Sequence, residues 1–228
     1  MIRVIAVDGP SGSGKSTVSR ALATRLGLEV LDTGAMYRAV TLAVLESGVA
    51  LDDAGAAGTI AARARIEVGE RVLLDGRDVS AAIRGPEVTG AVSAVSAHPA
   101  VRTVLVDRQR AWVAERGGGV VEGRDIGTVV FPDAPLKVFL TASEAERARR
   151  RHGDEAAAAR VVDVQAVAED LARRDQLDQS RATSPLAAAD DAVVVDSTDQ
   201  GIDEIVADLL ALADARFAPA PGRGAGAG

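Results

Sequence analysis

Nine consecutive residues near the N-terminus, Gly9-Pro10-Ser11-Gly12-Ser13-Gly14-Lys15-Ser16-Thr17, carry the residue types needed to hold a chain of phosphates. The glycines let successive N–H groups turn inward around an anion, and a helix starting where they end adds positive potential. The G-x-x-x-x-G-K-[ST] spacing brings Lys15 within reach of β- and γ-phosphates and places the Ser16 hydroxyl to ligate Mg²⁺. The chain has 26 basic residues, and only Lys15 and Lys137 are lysine, so a lysine at this position is not a compositional accident. The bland alternative is a Gly/Ser turn capped by Ser11 or Ser13. Residues 2–7 read as a buried strand, and Val18, Ala21, Leu22 and Leu26 recur at helical spacing. This strand–loop–helix context favours a nucleoside triphosphate site.

A phosphate loop alone serves switches, motors and kinases, so its companions decide. Lys137 sits in Leu-Lys-Val and supplies no guanine clamp of the N-K-x-D type, and no transport-ATPase signature is present. Arginine instead stands beside carboxylate three times: Asp32-Thr33-Gly34-Ala35-Met36-Tyr37-Arg38, Glu122-Gly123-Arg124-Asp125-Ile126-Gly127, and Arg174-Asp175-Gln176-Leu177-Asp178-Gln179-Ser180-Arg181. Arginine's fork binds phosphate bidentately and stays charged at any relevant pH. Several forks around one triphosphate point to a second phosphate-bearing ligand. An acceptor phosphate, with a second pKa of about 6, is already anionic and needs no general base. A sugar or shikimate hydroxyl would call for one, and Glu122 or Asp125 could serve. Surface ion pairing is the plain alternative for Arg174, Asp178 and Arg181, as a solvated helix face is for Arg147, Arg149, Arg150 and Arg151.

The elements that must position these groups alternate. Residues 29–31 read as a second strand and 35–47 as a helix with Thr33 near its start, followed by a helix capped by Asp52 or Asp53 to about Arg63. The period then changes: 65–68 and 71–74 look like a hairpin, with 75–79 a third short strand or a turn of helix. Helices follow over 87–97 and 99–115, a strand over 119–121, and another over 136–140. Ser143 caps an arginine-rich helix through Arg151, and 152–163 is polar and Ala-rich without apolar period. A long helix reaches about Ser180, and a strand over 192–196 and a helix over 202–215 end the ordered part. Residues 218–228 read as a disordered tail. Trp112 and Phe139 read as core. The pattern is an α/β sandwich, a parallel sheet between helices with an inserted β-containing lobe. Its ligands belong beyond the C-terminal strand ends, which gathers Asp8, Asp32, Thr33, Glu122 to Asp125 and Thr141 at one crevice.

Bulk properties narrow the setting. At 228 residues and 47% hydrophobic content the chain can bury one good core, made of Ala, Val, Leu and Ile since only 2% is aromatic. With no cysteine and two histidines, thiol or histidine metal sites are excluded. A net charge of −7 argues against broad nucleic-acid binding. No signal peptide or membrane span is expected, which makes a soluble cytoplasmic protein the default.

The three clusters behind Gly-Pro-Ser-Gly-Ser-Gly-Lys-Ser-Thr, with Gly127-Thr128-Val129-Val130-Phe131-Pro132-Asp133-Ala134 and Pro185-Leu186 in train, closely resemble the bacterial cytidylate kinases, a nucleoside monophosphate kinase family, from Ile2 to about Ala215. The resemblance implies a P-loop NTPase three-layer sandwich in one kinase domain, 1–217. Its core would be 1–34, 101–150 and 182–217, its monophosphate-binding region 35–100 with a β insert at about 63–86, and its helical lid about 150–165. It implies MgATP and CMP or dCMP as substrates; a monomer with no nucleic-acid or membrane partner is expected besides. Residues 9–17 would hold ATP. Thr33, Arg102 and Asp125 would read cytosine, while Arg38, Arg124 and Arg181 would clamp the acceptor phosphate with Tyr37 packed nearby. Arg174 and Asp178 would hold the sugar. Arg150 and Arg151 look like lid arginines that join Lys15, Arg124 and Arg181 in catalysis. Ser16, with Glu122 through water, would hold Mg²⁺. A kinase for UMP, AMP or a small hydroxy acid is the second reading, and a nonenzymatic nucleotide switch the third.

Overall fold

The computed structural model describes residues 2–157, 163–181 and 183–217. The expected tail lies outside these residues, as does the stretch 158–162 of the expected lid. The first strand, β1 (Arg3–Asp8), is buried from Val4 onward on both faces, as a Val/Ile-rich central strand must be. It is flanked by β6 (Gly118–Gly123) and β7 (Leu136–Thr141). With β2 (Val30–Asp32) and β8 (Val193–Asp196) these form a fully parallel five-stranded sheet in the order β2-β6-β1-β7-β8. Parallel register puts Asp8, Asp32, Gly123, Thr141 and Asp196 at one edge.

Helices cover both faces. On one side, α1 (Lys15–Leu26) and α8 (Ile202–Phe217) pack Val18, Leu22, Ile205 and Leu209 over Ile5, Val7 and Val138. On the other, α2 (Thr33–Ser47), α3 (Ala54–Arg63), α4 (Pro86–Ala97) and α5 (Pro99–Arg116) close over Val4, Ala6, Leu31 and Val121. Each such fully buried Val, Leu or Ile contributes roughly 1.5–3 kcal/mol. Asp53 caps α3 through the Ala56 amide, and the hairpin forms as β3 (Ile66–Val68) against β4 (Val72–Leu74), with β5 (Arg77–Asp78) as the third antiparallel strand. This small sheet has its own core of Val72, Leu74, Val79 and Ile83 against Ala35 and Ala39 of α2.

Four details differ from the sequence reading. A single π-type turn spans Ile126–Val130, closed by the Val129 and Val130 amides donating to Asp125 O at 2.9 and 3.2 Å. Such a turn leaves no periodic apolar trace in so short a segment. The arginine-rich helix, α6 (Glu144–Ala157), continues past Arg151; α7 (Val164–Gln179) ends near Ser180 as read, with Arg181 just beyond it. Phe139 is half-buried rather than core: its register partner is Val194, 62% exposed on the edge strand, so the helices leave this face open at its β8 edge. Trp112 is half-buried too, packed on the core with Arg116 over its ring.

Candidate active site

The phosphate loop follows β1 directly. Gly9 runs so close to the Leu140 carbonyl that no side chain fits, and Gly12 and Gly14 adopt φ of +78° and +90°, a region L-residues avoid. Gly14 at the N-cap of α1 supplies no side-chain cap, which leaves the leading amides of the helix facing the loop, where an anion could sit. Lys15 Nζ donates to Gly9 O at 2.8 Å and Pro10 O at 2.6 Å, and Ser16 Oγ donates to Glu122 Oε1 at 2.8 Å. Arg150 reaches from α6, donating to Glu146 Oε1 at 2.8 Å and to the Ser197 hydroxyl and carbonyl at 2.9 and 2.6 Å.

The second set faces this loop across the same edge of the sheet. Asp32 caps α2 by accepting from the Ala35 amide, which sets Thr33 at the first turn with its hydroxyl donating 2.7 Å to Glu122 O. One turn on, Arg38 donates to Ile83 O at 2.9 Å and Thr89 Oγ1 at 3.0 Å, tying α2 to the wall formed before and within α4. Arg102 of α5 is buried in an ion pair with Asp125, its guanidinium 5.4 Å from the centre of the Tyr37 ring. Arg124 Nε lies 3.1 Å from Asp178 Oδ2, and its Nη2 lies 2.7 Å from Ser11 Oγ. Arg181 pairs with the other oxygen of Asp178 and donates to Ser96 Oγ at 2.8 Å. Arg174 is buried with its Nε unpartnered among the described residues.

Charge density here is high. Burial, reinforced by Arg174, Arg151 and Arg124, pushes the Arg38 guanidinium down to about 9. Burial likewise lowers Arg174 and Arg181. Such like-charge crowding is a cost that an anion relieves. At the loop the sign reverses: burial and the Asp32 charge raise Glu122, and its Oε2 has no partner among the described residues. One cleft of about 900 Å³ is lined by every residue assigned to the nucleotides except Gly9 and Pro10, whose carbonyls hold Lys15 instead.

The family model described as "Cytidylate kinase" matches residues 5–215. The chain belongs to the cytidylate kinase family. A relative named cytidylate kinase from Mycolicibacterium paratuberculosis is 57% identical over 201 residues, 86% of this chain and 88% of that protein. Another, from Rhodococcus opacus, is 55% identical over 218 residues, 93% of this chain and 95% of that protein. A solved structure of an uncharacterized protein from Eubacterium ventriosum covers 92% of this chain and 98% of its own at 13% identity and a TM-score of 0.52, a likeness of fold alone.

Within this cytidylate kinase family member, sequence reasoning missed the groups that brace the phosphate loop and complete the cleft wall. Arg147 is buried rather than solvated: it pairs with Asp175 and donates to Ser11 O at 3.2 Å, while Asp175 accepts from Ser11 N at 3.3 Å. Ser93 and Ser96 line the cleft from α4, and Ser197 donates to Ser13 O at 2.9 Å from the loop after β8. Their only sequence signal was position, small polar residues facing a strand edge. Arg149, by contrast, is exposed and pairs with Glu146. No helix among the described residues is long and apolar enough to cross a membrane.

Proposed function

We propose that this chain transfers the γ-phosphoryl group of ATP to CMP or dCMP, giving ADP and CDP or dCDP. The observation that carries the reading is the buried Arg102–Asp125 pair opening on the same cleft as the phosphate loop. Cytosine presents an exocyclic amine beside ring acceptors, and a carboxylate, an arginine and the Thr33 hydroxyl match that edge. Family membership supports the same substrate.

The chain's own residues supply position and charge. Residues 9–17 cradle the triphosphate, with Lys15 leaving the Gly9 and Pro10 carbonyls for the β- and γ-phosphates. Arg38, Arg124 and Arg181 hold the acceptor phosphate, Tyr37 packs beside it, and Arg174 and Asp178 take the sugar. An acceptor phosphate oxygen attacks the γ-phosphorus, and the bond from that phosphorus to the β–γ bridging oxygen breaks, releasing ADP. With the acceptor already anionic no side chain removes a proton, and Arg124, Arg181 and the α6 arginines Arg150 and Arg151 stabilise the spreading negative charge. Ser16 and Glu122 fit a divalent cation: the raised carboxyl and its unpartnered buried oxygen are a site short of positive charge. Mg²⁺ held there, directly by Ser16 and through water by Glu122, would neutralise phosphate charge. We assign the chain to the cytoplasm as a monomer, with residues 1–217 one kinase domain and about 150–165 its lid.

A coupled ADP-release assay with MgATP against CMP, dCMP, UMP, AMP and shikimate tests the reading. Turnover with CMP and dCMP well above the others is expected. No ADP formation with any nucleoside monophosphate, or preference for shikimate, would overturn it.

A further inference from the structure

Asp8 has no role in the reading above, yet it is a buried carboxylate, 4% exposed, at the last position of β1 and immediately before Gly9. Both of its oxygens accept backbone amides, Oδ1 from Ile126 at 2.8 Å and Oδ2 from Gly127 at 2.7 Å. These amides open the π-type turn, and the residue just before them is Asp125. At the turn's far end Arg110 of α5 donates from Nε to Val130 O and from Nη2 to Val129 O, each at 3.0 Å. The turn is therefore gripped at both ends by a charged planar group of matching sense, a carboxylate on its amides and a guanidinium on its carbonyls.

Two amides 118 and 119 residues away in sequence need two acceptors on one rigid group, which only a carboxylate offers. Asparagine would set an NH₂ against one of the N–H groups. Gly127 packs closely here: a Cβ there would lie 3.4 Å from Asp8 Oδ2 and 3.2 Å from Lys137 Cδ, so the lysine side chain would have to give by a few tenths of an ångström. Because Asp125 O closes the turn by accepting from Val129 and Val130, the turn fixes where Asp125 stands, and with it Arg102.

We propose that Asp8 and Arg110 are positioning residues for base recognition, holding from β1 and α5 the turn that aims Asp125 and Arg102 into the cleft. The inference rests on the CMP assignment above. It differs from a plain staple of the phosphate loop, which would disturb ATP binding and stability but not the choice of base.

The test compares Asp8→Asn and Arg110→Met with wild type for KM of CMP, KM of ATP and the CMP-to-UMP ratio of kcat/KM. Arg110 is exposed, so Arg110→Met is expected to fold and keeps the test open should Asp8→Asn fail to. Each folded variant should raise the CMP KM and lower the CMP-to-UMP ratio by about 10-fold to 10²-fold, the scale of a misplaced binding group. Arg110→Met should leave the ATP KM near wild type. A folded Arg110→Met protein with wild-type CMP KM and base ratio overturns the inference, as does one in which only ATP binding suffers. Wild-type protein inert toward CMP would overturn the substrate assignment itself, a separate and visible outcome.

Discussion

Arg124 and Asp178 sit 54 residues apart and meet at 3.1 Å, and the same guanidinium reaches 2.7 Å to Ser11 Oγ in the phosphate loop. One arginine thus touches both walls of the cleft. Asp178 also pairs with Arg181, so one carboxylate holds two guanidinium groups and the local balance stays positive. That surplus is what a transferring phosphoryl group needs. Lysine keeps the charge and loses the fork, so Arg124→Lys can satisfy one wall only. Its kcat should fall by about 10²-fold to 10³-fold, the scale of losing one transition-state donor. Steady-state kinetics with MgATP and CMP checks this, and the fall in kcat should exceed the change in ATP KM.

Asp125→Asn addresses the choice of base. The carboxylate is buried against Arg102, and the amide replaces one acceptor oxygen with a donor while leaving the guanidinium charge without its counter-ion. The ratio of kcat/KM for CMP over UMP should drop by about 10²-fold, as expected where a site's hydrogen-bond sense no longer matches. The ATP KM should stay near wild type. Parallel assays on the two monophosphates decide it, and an unchanged ratio would remove Asp125 from base reading.

Much of this was legible in the sequence because the informative residues are neighbours. The phosphate loop, Thr33 to Arg38 and Glu122 to Asp125 each sit within one local motif, and the strand-end rule brings them to one crevice. The β insert showed as a change of period at residues 65–79. What escaped depends on pairings across long separations. Arg147 and Asp175 are 28 residues apart, and Ser96 and Arg181 are 85 apart. An arginine-rich helix reads as solvated until its partner helix is placed, and here Ala148, Val167 and Leu171 pack that helix onto α7 and bury Arg147 with them. The π-type turn escaped for another reason: five residues carry no period.

Lys15 governs how stability responds to pH before nucleotide binds. Burial and the Arg124 charge push its ammonium from 10.5 down to about 7, against the pull of Glu122 and Asp8. The unfolded chain keeps that proton to about pH 10.5, so across the window from about 7 to 10.5 unfolding takes up a proton. Stability contributed at this site therefore rises with pH through that window, and below about 7 the folded chain carries the full cost of the buried charge. That cost is on the order of a few kcal/mol, more than two hydrogen bonds of about 1 kcal/mol each return. Nucleotide-free Lys15→Met should melt several degrees above wild type near pH 6, with the gap closing toward pH 9. The same variant should lose about 10²-fold or more in kcat. Thermal melts across pH, paired with turnover, check both halves. A Lys15→Met protein less stable than wild type at every pH would contradict the buried-charge account.

Arg147 and Asp175 make the last case, because here the charged pair holds a backbone rather than a ligand. Arg147 donates to Ser11 O and Ala142 O, and Asp175 accepts from Ser11 N, so the Ser11 residue is held at both of its peptide groups. Removing one partner strands the other in a buried site, at a cost of about 3–5 kcal/mol. For a chain of this size Arg147→Met should lower Tm by roughly 10 °C. The double variant Arg147→Met/Asp175→Leu strands no charge and should recover more than half of that loss, since apolar replacement of a whole buried pair is often nearly neutral. Its ATP KM should remain raised, because nothing then fixes Ser11 at the mouth of the phosphate loop. Melting curves and ATP titrations on the three proteins separate the two effects. Recovery of Tm together with a wild-type ATP KM would show that the pair stabilises the helices without shaping the loop.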